Sequence, residues 1–399
     1  MRPRNVVFLI LGPLVLLPLS SASGQRIRLP VSKSQLEEAV HKDSLDPAAH
    51  YNVALAYWND RNFDQAEQEL RTAVAMNPRF APAHLALAYL PFGRRPRLWD
   101  DLNKSHWPDS IVQIVATWRQ HERAAYLIDP LVSLAIIGAT RPGKDARWDM
   151  YEDTREFYEF YFQGYDDIAE GRYDDAFFNF NRMIDMYREN FSRDRSRLPE
   201  EWLWWHGEAA SRIPDKFQVA LDDFNEILGR SLGRERSDTV YAVPLKTNEI
   251  RSLIATVYQR AGKLDDAIRV YREVLENDIG LYMANVRLGD IYESQRRYPE
   301  AIRERQQAVA VNPDDQSLLL DLGITMGKSG QFAEAIGILD QAVSGNPRDP
   351  RPVFWLGLAH LQLNQRDEAK ANFTRFIAMA PSGLSRQVTL AQQKLQDLQ

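Results

Sequence analysis

The chain has 399 residues, 44% hydrophobic and 26% charged, an ordinary globular composition that excludes a disordered tail protein. Its 49 Lys and Arg against 55 Asp and Glu give a net charge of −6. That is the wrong sign for a general nucleic-acid binder, whose affinity comes from neutralising phosphates. The absence of cysteine excludes disulfides, thiolate metal sites, cysteine nucleophiles and a lipid-modified N-terminal cysteine.

At the N-terminus, Arg2 and Arg4 precede an apolar run from Val6 to Leu19, broken only by Pro13 and Pro18, and then the small residues Ser20 to Gly24. A basic start, a greasy centre and a small-residue exit predict a secretory signal peptide over 1–24, cut ahead of Gln25. The apolar run of about 14 residues is shorter than the roughly 20 that a bilayer span needs. An uncleaved signal-anchor is the alternative. An exported chain without cysteine fits a bacterial envelope, either periplasmic or secreted.

A single period organises the chain beyond this segment. Ala267, Ala301, Ala335 and Ala369 keep a 34-residue step, as do Gly289, Gly323 and Gly357, and Pro313, Pro347 and Pro381. Leu288, Gly289 and Tyr292 share one helical face, and Ala261-Gly262 and Ser329-Gly330 read as helix stops. The pattern resembles the tetratricopeptide repeat, a helical hairpin with small residues where its two helices cross. Axes about 8–10 Å apart leave no room for bulk at that point. Proline closes each second helix because it cannot continue the hydrogen-bond ladder.

In chain order, 25–130 is expected to be an N-terminal repeat segment. Ser34 to Lys42 is its leading helix, and 47–80 is a full repeat carrying Ala54, Tyr57, Ala66, Leu70, Ala73 and Pro78. Ala81 to Leu90 begins another repeat, which Pro91 and the tract Gly93 to Arg97 break, giving an insertion near 91–110; a helix resumes from Ser110 to Asp129. Residues 131–156 form a connector and helix start. Two diverged repeats fill 157–230, the second with Glu208 at the small-residue position and Gly207 one place early. A linker at 231–246 leads into four regular repeats at 247–381 and a capping helix at 382–399. The resemblance thus implies an all-α, right-handed α-solenoid, a tetratricopeptide superhelix of about eight hairpins.

Signs of chemistry are weak. Gly323 to Ser329 has three residues between its glycines where a phosphate loop needs four, and it falls inside a helix. The acid pairs at Asp166, Asp174, Asp222, Asp265 and Asp314 mostly fall in first turns, where carboxylates complement exposed amides. The seven histidines show no ligand spacing, and no nucleophile elbow exists. We therefore expect no catalytic, cofactor or metal site. The sequons at Asn103, Asn190 and Asn372 are chance matches on this reading, and Arg94 to Arg97 is a solvated loop.

The resemblance implies a partner that is another protein or a peptide, held in a concave groove, with no nucleic acid. Membrane contact arises only if the N-terminal segment stays uncleaved, which would make the chain a structural subunit of a membrane-associated complex. The inner face offers Tyr51, Asn52 and Leu55, then Ser252, Thr256, Val286, Asp290, Leu320 and Ile324. It lacks the Lys and Asn set with which some family members grip a terminal carboxylate. Counting from Ala176 and Ala220 places Tyr158, Tyr161, Phe162, Tyr165, Trp202, Trp205 and His206 on the concave side as an aromatic strip. Two readings of the strip stand: an exposed partner site, or a local core covered by the segment around Leu98 to Trp118.

Overall fold

The structure, a computed structural model, describes residues 31–95, 108–130, 155–190, 198–235 and 247–398, with the single residues 29, 98 and 132. The expected signal segment 1–24, the centre of the insertion, nearly all of the connector 131–156 and residues 236–246 of the linker lie outside the described residues. Eighteen α-helices account for nearly all the regular structure of the described residues, and no strand occurs among them. They are α1 (Lys33–Lys42), α2 (Pro47–Asn59), α3 (Phe63–Met76), α4 (Ala81–Arg94), α5 (Asp109–Ile128) and α6 (Arg155–Ala169). Next come α7 (Tyr173–Asn190), α8 (Glu200–Ser211), α9 (Phe217–Glu235), α10 (Thr247–Arg260), α11 (Leu264–Asn277) and α12 (Tyr282–Ser294). The last six are α13 (Tyr298–Val311), α14 (Gln316–Lys328), α15 (Phe332–Gly345), α16 (Pro350–Gln362), α17 (Arg366–Met379) and α18 (Ser385–Asp397). The fold is all-α, a succession of helical hairpins of the tetratricopeptide type.

Six hairpin turns share one geometry. The residue before the second helix donates its N–H five residues back, as in Asn62 to Tyr57, Arg172 to Asp167, Lys263 to Tyr258, Arg297 to Tyr292, Gln331 to Met326 and Gln365 to His360. The residue just ahead of each donor has positive φ: Arg61, Gly171, Gly262, Arg296, Gly330 and Asn364. This is the left-handed stop that satisfies the last carbonyls of a helix. The second helices of the regular repeats end at Val311, Gly345 and Met379, two residues ahead of Pro313, Pro347 and Pro381.

Small residues mark the crossings. A Cβ on Gly164 would lie 2.8 Å from Phe180, on Gly323 2.6 Å from Leu339, and on Gly357 2.7 Å from Phe373, each partner at the same offset in the second helix. In the α8–α9 hairpin the pair is Gly207 and Phe224, at 3.0 Å and one place further apart in the chain. Its turn is one residue longer, with Arg212, Ile213 and Lys216 each bonding back only three residues. The extra residue moves Gly207 to the crossing, so Glu208 does not occupy the small-residue position expected for it. Another expectation also shifts: α4 runs through Pro91 to Arg94 rather than stopping at Leu90. Proline forfeits one ladder bond, but its own carbonyl still accepts from Arg95, and the helix persists one turn further.

Two compact units divide the chain, and they do not follow chain order: one holds 88–267, the other 29–87 together with 268–399. In the first, α6, α7, α8, α9 and α10 pack in succession. Aromatic edges fill its core, Phe92 on Trp118 at 5.2 Å, Tyr126 on Trp204 at 6.0 Å and Trp204 on Phe224 at 5.6 Å. In the second, α1, α2 and α3 pack in series, as do α12 to α18. Phe354, Phe373 and Phe376 bury against Ala391 and Leu398 at the end of the chain. Burial is worth roughly 1.5–3 kcal/mol for each such ring, and it covers an apolar helix face that would otherwise meet water.

Candidate functional site

The described members of the aromatic strip do not form an exposed surface. Tyr161 is 7% exposed and sits edge-on to Phe180 at 6.2 Å. Trp205 is 3% exposed, and His206 is buried between Phe177, stacked at 4.8 Å, and Asp223, whose carboxylate lies 2.7 Å from Nδ1. Trp202 alone is half-exposed, edge-on to Tyr187 at 5.4 Å. The side chains of Tyr158, Phe162 and Tyr165 lie outside the described residues. The cause is simple: Tyr161 and His206 fall on a side of α6 or α8 that faces the second helix of a hairpin, and packing takes them.

Among the carboxyls buried in the same unit, two are raised well above their ordinary range. Tyr89 donates to Glu122 at 2.9 Å, yet burial still pushes that carboxyl up to about 7. Burial likewise pushes Glu208 to about 7 against the pull of Arg212, 2.9 Å away. Among the described residues no group of three His, Cys, Asp or Glu could hold a metal ion. No described helix is long and apolar enough to cross a membrane.

A charged cluster stands on α12 and α14. Of the residues expected on the inner face, Val286, Leu320 and Thr256 are buried, whereas Asp290 and Ile324 are half-exposed. Arg305 of α13 passes Gly289, where a Cβ would meet its Cγ at 3.1 Å. Its Nη2 donates to Asp290 at 3.0 Å and to Glu293 at 3.2 Å, and its Nη1 lies 3.6 Å from Asp321. Glu293 also accepts from Thr325 at 2.6 Å and Lys328 at 2.5 Å. Burial works against the Glu293 charge, but these hydrogen bonds and the Arg305 and Lys328 charges outweigh it and hold its carboxyl below the ordinary range.

Into this cluster comes a residue from far away in sequence. The loop between α3 and α4 presents Arg79, whose Nε donates to Ser317 Oγ at 2.7 Å. Its Nη2 donates to Asp321 at 2.6 Å and to the Ser317 carbonyl at 3.2 Å. Asp315 caps α14 through the Ser317 amide at 3.0 Å and also accepts from the Ser317 hydroxyl. Burial weighs against the Arg79 charge, but Asp321 and Asp315 more than offset it and raise its pKa. The loop is braced behind by an Asn77 side chain accepting from the Arg79 amide at 3.1 Å and by Phe80 edge-on to Tyr51 at 5.5 Å.

Sequence reasoning reached Asp290, took the Asp314 and Asp315 pair only as acids at a helix start, and missed Arg79, Glu293, Arg305 and Asp321. One signal was there to be read. Tyr271, Arg305, Leu339 and Phe373 share the 34-residue step, so Arg305 is a charge at a core position. Nothing in the spacing points to Arg79, which meets its partners across 238 to 242 residues.

The hairpins and the small residues at their crossings give the fold of tetratricopeptide repeats. One tetratricopeptide-repeat family profile matches residues 28–79, 54–94, 253–317 and 295–350, and a second matches 328–381. Among solved structures the chain is similar to MamA, at 21% identity over 43% of this chain and 93% of that one, with a TM-score of 0.36. It is also similar to MamA 41-end from Desulfovibrio magneticus RS-1, at 19% identity over 43% and 94%, TM-score 0.35. A third is the TPR domain of P58(IPK), at 14% identity over 92% and 93%, TM-score 0.26.

Proposed function

We propose that this chain is an exported, non-enzymatic protein–protein interaction scaffold or adaptor that holds a peptide or helix of a partner on the inner face of its repeats. One observation carries the reading: the inner positions of α14 already hold an irregular stretch of polypeptide, Asn77 to Phe80, through side-chain and carbonyl contacts to Arg79. Tetratricopeptide matches at both ends of the chain support it. Export rests on the pattern of residues 1–24.

A photo-crosslinking residue tests the binding reading. At Ile324, half-buried on the inner side of α14, it should yield a discrete crosslinked protein in cells; at Glu334, exposed on α15, it should not. Equal backgrounds from the two sites would remove the adaptor reading. N-terminal sequencing of the mature chain tests export, with Gln25 as the expected first residue. A membrane-bound chain that retains residues 1–24 would instead make it an anchored subunit of a membrane complex.

A further inference from the structure

We propose that Asp315, Ser317 and Asp321, backed by Asp290 and Glu293, form a socket for an arginine side chain of the partner, and that Arg79 is a resident stand-in which the partner displaces. The proposal rests on the reading of the inner face as a peptide-binding surface. Charge balance is the first argument. Asp290, Glu293, Asp315 and Asp321 supply four negative charges; Arg287, Arg305 and Lys328 beside them supply three positive, leaving a deficit of one. Arg79 fills that deficit, and a partner's guanidinium would fill it equally well.

The second argument is that Arg79 does not saturate the socket. Oδ2 of Asp315 is buried and accepts no hydrogen bond from the described residues, and Nε of Arg79 stays 3.9 Å from it. Nε and Nη1 of Arg305, also buried, donate to none of the described residues. A guanidinium free of the Asn77–Phe80 tether can reach Asp315 and Asp321 together, in the paired geometry where arginine–carboxylate contacts are strongest. The third argument is presentation. Arg79 comes from a tight turn, not a helix, closed by the Phe80 amide on the Asn77 carbonyl at 3.0 Å, so a short loop of polypeptide is enough to present the guanidinium. Being tethered, it competes at an effective concentration in the millimolar range and suppresses peptides added from outside.

The experiment uses the full chain and two fluorescein-labelled peptides, Gly-Ser-Asn-Pro-Arg-Phe-Gly-Ser and the same peptide with alanine for arginine. Arg79→Ala should bind the arginine peptide at least about tenfold more tightly than the parent chain, because the internal competitor is gone. The alanine peptide should bind neither, and adding Asp321→Asn to Arg79→Ala should abolish the gain. No gain, an equal gain for both peptides, or a gain that survives Asp321→Asn would overturn the proposal. If Arg79→Ala does not fold, hydrogen exchange on the parent chain decides. Millimolar arginine peptide should speed exchange at Arg79 and Phe80 and alanine peptide should not; no difference between them overturns the proposal. A discrete crosslink from Ile324 alongside a negative peptide result would retain the adaptor reading and remove this one.

Discussion

Gly323 and Gly337 belong to one hairpin, and Gly→Ala should act on them with opposite sign. Gly337 lies in mid-helix in α15 with nothing within 4 Å of an added Cβ. Alanine there gains about 0.5–1 kcal/mol from helix propensity alone. Gly323 has the same propensity to gain, but its Cβ would sit 2.6 Å from Cγ and 2.7 Å from Cδ2 of Leu339. Ordinary carbon contacts lie near 3.5–4.0 Å, so the crossing must open by about 1 Å. Leu339 cannot swing clear, because it is buried against Leu320 and Leu356. Overpacking costs about 1–3 kcal/mol, which leaves Gly323→Ala destabilising by about 1 kcal/mol or more and separates the two variants by about 2 kcal/mol. For a unit of this size that is a gap of roughly 4–8 °C in melting temperature, measurable by circular dichroism. Gly323→Ala combined with Leu339→Ala should cost less than the sum of the single changes, since the second makes room for the first. Equal shifts for Gly323→Ala and Gly337→Ala would refute the assignment of Gly323 to the crossing.

Other expectations rest on the same packing and charge. Arg296→Gly relieves a non-glycine residue held at φ 58° and should stabilise by about 0.5–1 kcal/mol in denaturant titrations. Glu122 titrates higher folded than unfolded, so its contribution is fully favourable below about pH 4.5 and is lost as pH rises towards about 7. Glu122→Gln keeps an acceptor for Tyr89 and should therefore match the parent at pH 4.5 and exceed it by about 2–3 kcal/mol at pH 8, read from melts at both. Arg305→Leu restores an apolar crossing but strips the counter-charge from Asp290, Glu293 and Asp321, and should destabilise by about 3 kcal/mol, with partial recovery in high salt. Tyr161→Ala and Trp205→Ala should each cost about 3–5 kcal/mol in cooperative unfolding; unchanged melts would return them to the surface.

Much of the fold was legible because the hairpin makes demands that only a few residues meet. Two helices cannot cross closely without a small residue, and a second helix cannot pass proline; these demands recur along the regular array, hence the 34-residue steps that begin at Ala267, Gly289 and Pro313. Turns were readable for the same reason where glycine fills the left-handed position, as at Gly262 and Gly330, and less so at Arg61 and Arg296, where an ordinary residue takes it. The α8–α9 register was not readable, because a single added turn residue changes no composition while moving Gly207 onto Phe224. The aromatic strip stayed ambiguous for a related reason. A helix packed on both sides is apolar on both, so periodicity gives no preference between inner and packing faces, and Tyr161 met Phe180 rather than solvent. Grouping 29–87 with 268–399 was beyond spacing altogether, since a repeat pattern encodes only contacts between neighbours.

Arg305 shows how such a fold acquires a site. At the matching step, Leu339 and Phe373 fill their crossings with hydrocarbon against Gly323 and Gly357. The aliphatic stem of Arg305 fills the corresponding space against Gly289, so the crossing itself is kept. What changes is the far end. The guanidinium is carried to the carboxylates of α12 and α14 at 7% side-chain exposure, with Nε and Nη1 making no hydrogen bond to the described residues. Leucine would avoid that desolvation penalty without cost only if the acidic partners were replaced with it, so the arginine and its carboxylates stand as one set. The head group fixes three carboxylates, Asp290, Glu293 and Asp321, from two successive first helices. Asp321 is the residue that also grips Arg79 at 2.6 Å. A local rule broken at one repeat, with its neighbours obeying it, places the cost of Arg305 beside the contact it organises.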